Sequence, residues 1–127
     1  MAIAPNDVNV LSVETADLDS AAGQDIDVTI ETEAGVALHN TGGTYRVRMT
    51  MTDTTNPALL NQQDIVGNFG DGDWLNPGLN SFTFTVPGAA TAGRDGNVLE
   101  PQARVICNAA APFDTSHAVG ASVLLTP

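Results

Sequence analysis

The chain contains no lysine, a single cysteine, one tryptophan and one tyrosine in 127 residues. Cys107 alone can build neither an internal disulfide nor a cysteine-rich zinc site. Four arginines stand against fifteen acids, and the formal net charge is −11. That balance argues against nucleic acid as a partner, because phosphate contacts need clustered Lys and Arg. No apolar run approaches the roughly 20 residues that cross a bilayer as a helix, so no membrane partner is expected. Met1–Asp7 has neither the basic start nor the apolar stretch of a secretory signal, and the expectation is a protein that either acts where it is made or has lost a signal by processing.

Catalytic sets are missing as well. There is no G-x-S-x-G and no His-x-x-x-His. Asp114-Thr115-Ser116-His117 gathers an acid, hydroxyls and an imidazole, but adjacent residues of an extended segment point apart. Cys107 falls at an inward position and reads as a small core residue. Neither an enzyme nor a cofactor is expected.

What the chain does have is alternation with a period of two, the signature of half-buried strands. Ile26, Val28 and Ile30 alternate with Asp27, Thr29 and Glu31. Tyr45, Val47, Met49 and Met51 alternate with Arg46, Arg48, Thr50 and Thr52. Phe82, Phe84 and Val86 alternate with Ser81, Thr83 and Thr85. The segment Val8–Val13 alternates and slips at Leu11, which predicts a bulge. Leu99, Ala103, Val105 and Cys107 form a sixth strand, with Pro101 marking an edge or bulge in its first half. Val119, Ala121, Val123 and Leu125 read as the last strand, facing inward, and Thr15–Gln24 as a connection. Val36 and Leu38 make a short apolar piece, and Asn56-Pro57 offers the start of one helical turn, followed by a short strand. About seven strands with no long amphipathic helix predict a single all-β antiparallel sandwich over residues 8–127, preceded by an arm, residues 1–7. A jelly roll or small barrel is the alternative.

Three groups of residues are candidates for binding. Arg46 and Arg48 on the third strand and Arg104 on the sixth point outward, on strands that neighbour each other in an immunoglobulin-like order. They predict either a partner-facing basic surface or internal ion pairs, for example with Glu100. Phe69 and Trp74 flank Gly-Asp-Gly-Asp in the loop 67–78. Aromatics beside Asp and Asn suit a sugar-binding loop or a protein hot spot; the alternative is a plug in one end of the sandwich. Asp64, Asn68, Asp71 and Asp73, separated by Gly67, Gly70 and Gly72, are hard oxygen donors and the calcium candidates. They lack EF-hand spacing and a closing Glu, so no metal is expected.

The order of long and short strands resembles an immunoglobulin-like domain over most of the chain. The family's disulfide and core Trp are absent, since only Cys107 exists and Trp74 lies in a loop, and Tyr45 is too early for a tyrosine corner. A small sandwich of this kind with no catalytic set also resembles the accessory proteins of tailed virus particles, which include capsid-decoration proteins, small tail or fibre modules and turret components. That resemblance implies a non-enzymatic structural protein assembled in the host cytoplasm and carried on the virion. Its partners would be a major capsid or other virion protein, with many copies forming a homo-oligomer on a bacteriophage-like particle. The alternative is an extracellular recognition module that binds carbohydrate or a surface protein through the 67–78 loop.

Overall fold

Alternating side chains can be buried on one face only if two sheets meet, and the chain folds that way. The computed structural model describes residues 7–41, 43–108 and 114–127. Among them run nine strands: β1 (Val8–Thr15), β2 (Asp19–Ala21), β3 (Ile26–Ala34), β4 (Thr44–Asp53), β5 (Ala58–Asn68), β6 (Gly78–Val86), β7 (Val98–Asn108), β8 (Asp114–Val119) and β9 (Val123–Thr126). One layer has the order β1-β3-β6. The other has the order β2-β9-β7-β4-β5, with β8 also paired to β7. All pairings are antiparallel except β2 with β9. The result is an all-β sandwich with an immunoglobulin-like arrangement.

The inward positions of β3, β4, β6, β7 and β9 meet in one core. Ile26, Val28, Ile30, Tyr45, Val47, Met49, Phe82, Phe84, Val105 and Val123 are all buried there. The predicted slip in β1 is present: the register with β3 shifts between Val10 and Ser12, leaving Leu11 unpaired and exposed. Pro101 lies between the stretch of β7 that pairs with β9 (Val98, Leu99) and the stretch that pairs with β8 (Gln102 to Cys107). A residue without an N–H is tolerated at such a seam.

Four expectations are corrected. Residues 58–68 form no helical turn but the long strand β5, hairpinned to β4. Its inward positions, opposite Met51, Met49, Val47 and Tyr45, are Asn61, Gln63, Ile65 and Gly67, so apolar alternation is lost. Those positions face the open side of the sandwich, where Gln63 Nε2 donates to Thr85 O at 2.6 Å and ties β5 to β6. The piece around Val36 is a short helix, α1 (Val36–Thr41). Thr15–Gln24 includes the short strand β2. The last strand is two strands, because β8 pairs Val119 with Gln102 while β9 pairs Val123 with Leu99. One extra residue between them inverts the facing: Val119 is 50% exposed and Ala121 is exposed, while Val123 and Leu125 are buried. Gly120 sits at the break, where a Cβ would collide with the Val13 carbonyl oxygen.

Each end of the core is closed differently. At one end the fully buried carboxylate of Asp53 accepts from the backbone N–H groups of Thr55 (2.9 Å) and Asn56 (3.0 Å) through Oδ1. Its Oδ2 accepts from Arg94 Nη1 (2.9 Å) and Asn97 Nδ2 (2.7 Å). These bonds pin the β4–β5 turn to the turn before β7, which is why Asn56-Pro57 does not begin a helix. Burial alone would raise the Asp53 pKa, but the four hydrogen bonds outweigh it and hold the carboxyl below the usual range.

Two outcomes follow for stability. Phe84→Ala empties a buried aromatic site and is expected to cost about 3–5 kcal/mol in denaturant unfolding, whereas Thr83→Ala, outward on the same strand, changes little; equal costs would contradict the assigned facing. Because the Asp53 pKa is lowered on folding, its contribution is present above the ordinary value near ~3.9 and lost as pH falls through the lower folded value. Asp53→Asn is therefore expected to be less stable than wild type at pH 7 and to lose less stability on acidification below about pH 4. Thermal unfolding between pH 2 and 7 checks it, and parallel curves would contradict it.

Candidate functional site

The outer face of the larger sheet is built by the polar half of each strand's alternation. Register places Asp64 (β5), Arg48 (β4), Arg104 (β7) and His117 (β8) in one row across the sheet. The row beside it is Val66, Arg46, Ile106 and Thr115, and on the other side lies Gln62, Thr50, Gln102 and Val119. Three of the chain's four arginines thus share one flat face. The fourth, Arg94, is occupied at Asp53.

The ion pairing on this face is uneven. Arg48 donates Nε and Nη2 to the two oxygens of Asp64 at 2.9 and 3.1 Å, a bidentate pair. Arg46 Nη1 lies 3.8 Å from the same carboxylate. The Arg48 hydrogen bonds, joined by the charges of Arg48 and Arg46, hold the Asp64 carboxyl below the usual range against a smaller effect of burial. Internal pairing therefore exists, but its acceptor is Asp64 and not the Glu100 considered from sequence. Glu100 instead accepts from Gln102 Nε2 at 2.9 Å. Among the described residues Arg104 has no ion pair, although it stands directly between Arg48 and His117. Arg48, Thr50, Gln62, Gln102, Arg104 and His117 ring a shallow, open depression of about 200 Å³. His117 enters this set from β8; its signal in the sequence is the alternation 115/117/119, which the expected strand beginning at Val119 hides.

Phe69 and Trp74 are not on a binding surface. Trp74 is fully buried and Phe69 is 2% exposed. Trp74 packs edge-on to Tyr45 (5.2 Å), Phe69 (5.0 Å) and Phe82 (5.4 Å) and lies 6.2 Å from the His39 ring. They plug the end of the sandwich opposite Asp53, because a loop rich in Gly and Asp can fold its aromatics back onto β4 and β6. Gly67 is required beneath the plug, since a Cβ there would lie 2.6 Å from Tyr45 Oη. Burial, with the nearby charges of Asp73 and Asp71, pushes the Tyr45 phenol up.

The calcium candidates do not form one set. Asn68, Asp71 and Asp73 line a shallow depression beside Tyr45, and Asp71 Oδ1 accepts from Gly72 N. Asp64 points to the outer face and is held by Arg48. Among the described residues no three His, Cys, Asp or Glu side chains converge as metal ligands would. Ser116 and His117 lie on opposite faces of β8: the Ser116 hydroxyl accepts from Val10 N at 3.0 Å, while His117 Nε2 lies 3.3 Å from Gln102 Oε1 on the outer face.

Comparison with known proteins agrees with the fold. No protein-family model matches the chain, and no curated protein matches it in sequence. Among solved structures it is similar to the sporulation control protein Spo0M from Bacillus subtilis, at 12% identity and a TM-score of 0.50, over 98% of this chain and 51% of that one. It is also similar to a glycosyl hydrolase family 2 member from Bacteroides cellulosilyticus, at 8% identity and a TM-score of 0.50, over 88% of this chain and 15% of that one. The major subunit AggA of aggregative adherence fimbriae type I from Escherichia coli aligns over 99% of both chains, at 11% identity and a TM-score of 0.46. The chain spans about half the length of Spo0M and a small part of the hydrolase. At these identities the likeness is one of fold alone.

The pairing on the basic face is directly measurable. In Arg48→Gln the Asp64 carboxyl is expected to titrate at a higher pH than in wild type, followed by the NMR shift of its side-chain carbonyl carbon. Both partners are partly exposed, so stability should change little. An unmoved Asp64 titration would mean that Arg48 does not hold it.

Proposed function

We propose that this chain is a non-enzymatic structural protein that docks on a repeating protein lattice through the Arg46/Arg48/Arg104 face, as an accessory or decoration protein of a virus particle. The observation that carries the docking reading is the concentration of three of four arginines on one flat sheet face of a chain with net charge −11, with Arg104 left without an anion. Arginine offers rigid paired donors suited to carboxylates, so the partner surface is acidic. The excess of arginine over carboxylate on that face also orients docking and disfavours wrong approaches. Support for the particle reading is the resemblance in size and architecture, together with the lack of a catalytic constellation among the described residues. The arm that could join the contact is outside the described residues as far as position 6; Asp7 is anchored by Gly35 N donating to its carbonyl at 2.9 Å.

The test uses two variants, Arg46→Ala/Arg48→Ala/Arg104→Ala and a deletion of residues 2–7. Occupancy on purified particles is measured beside unfolding midpoints. The triple variant is expected to fold and to lose most of its occupancy. If both variants fold and load at wild-type level, the contact lies elsewhere. If the wild-type protein never co-purifies with a particle, the reading fails in favour of an extracellular recognition module. That module would use the exposed tip Leu75-Asn76-Pro77, because Phe69 and Trp74 are buried.

A further inference from the structure

The opposite face of the same sandwich carries the complementary charge. The outer side of β1-β3-β6 presents Glu14, Asp27, Glu31 and Glu33, and among the described residues it presents no base. None of these four carboxylates has a cationic partner among the described residues. Three are oriented by neutral donors on flanking strands: Ser81 Oγ to Glu31 at 2.6 Å, Thr85 Oγ1 to Asp27 at 2.7 Å and Asn9 Nδ2 to Glu33 at 3.2 Å. Each keeps free lone pairs facing solvent.

The basic face has the reverse deficit. Like charges directly opposite across a strand pair destabilise it, yet Arg104 stands directly opposite Arg48. Asp64 relieves only the Arg48 end of that row. The depression between them is open and lined by donors from Arg48, Arg104, Gln62, Gln102 and Thr50. It is the size and chemistry of a seat for one carboxylate side chain.

We propose that the basic face of one copy docks on the acidic face of the next, with a β3 glutamate seated between Arg48 and Arg104, so that the chain stacks front to back. This rests on reading the arginine face as a docking surface, and it names the partner as a second copy of this chain. The spacing supports it. Arg46 and Arg48 are two residues apart on β4, as are Glu31 and Glu33 on β3, so each pair spans about 6.6–6.8 Å along a strand. Each of these strands is flanked on both sides within its own sheet. The contact is heterologous and its two patches lie on opposite sides of the sandwich, so it propagates as an open row and does not close as a dimer. A three-strand face of about 30 Å by 14 Å offers roughly 400 Å² per copy, about half of a standard interface. Net repulsion beyond contact is screened over about 8 Å at physiological salt. A single contact is thus weak, and each copy added to the open row gains one more contact of the same strength.

The experiment is sedimentation of the isolated protein from micromolar to millimolar concentration in 0.15 M salt. Wild type is expected to show a weight-average mass that rises with concentration. Arg46→Glu/Arg104→Glu and Glu31→Arg/Glu33→Arg, each checked for its unfolding midpoint, are each expected to weaken association at least tenfold. An equimolar mixture of the two should associate again, although both variants remain acidic overall, so attraction between opposite net charges does not explain the rescue. Arg104→Gln and Glu33→Gln serve if a charge reversal fails to fold, and each should lower the association. A wild type that stays monomeric at millimolar concentration, or a mixture that does not associate, overturns the proposal. Particle occupancy separates the two readings: loss of loading in the arginine variant with normal loading of the glutamate variant leaves docking intact and refutes stacking.

Discussion

Three strands cannot cover a sheet of six, and most of this molecule is arranged around that mismatch. Where β3 and β6 lie over β4 and β7, the inward positions are fully buried and apolar: Val28, Ile30, Val47, Met49, Val86 and Val105. Beyond that overlap the rule changes. The inward side of β5 carries Asn61 and Gln63, and the Gln63 amide reaches across the open side to the Thr85 carbonyl. A polar bridge between two sheet edges replaces the apolar contact that a fourth covering strand would have supplied, and it occupies an edge carbonyl that would otherwise invite a foreign strand.

A narrow sandwich is open at both ends, and the two closures use opposite chemistry. At one end a buried carboxylate gathers four donors from two turns. Removing one partner from such a site leaves unmet charge in a poorly hydrated place, so the cluster holds its turns in one arrangement. At the other end five rings, His39, Tyr45, Phe69, Trp74 and Phe82, close the core mainly by packing. Their polar atoms are poorly served: the Trp74 indole nitrogen and both His39 ring nitrogens are buried without a hydrogen-bond partner. Leu38 from α1 joins this end of the core, which gives the short helix its role.

The parts of the fold that a reader of the sequence can recover are those where one face is dry and the other wet. β3, β4 and β6 alternate without a break, and their inward residues follow directly from period two. β5 was hidden because its inward side faces an open seam and is partly polar, so Asn56-Pro57 was the loudest local signal; Asp53 captures the amides of Thr55 and Asn56, two and three residues on, while Arg94 and Asn97, which complete its network, lie 41 and 44 residues away, where no local pattern announces them. Val119 and Ala121 misled because a single extra residue near Gly120 reverses facing between β8 and β9 while leaving the apolar spacing unchanged. For the site, the neighbouring of Arg46, Arg48 and Arg104 was legible from strand order and outward parity. The bidentate grip of Arg48 on Asp64 was not, because it depends on β5 being a strand.

Charge is distributed unevenly over the two faces: the β1-β3-β6 face carries four carboxylates and no base among the described residues, while the other gathers three arginines with Asp64 and Glu100. The central claim is that the basic face is a contact surface. Arginine-selective labelling with a dicarbonyl reagent, read residue by residue by mass spectrometry in the free and the assembled protein, tests this most directly. Arg94, tied to Asp53, serves as the internal reference. The account predicts that Arg104 and Arg46 lose reactivity on assembly while Arg94 does not change. Equal reactivity of Arg104 in the free and assembled states would contradict it.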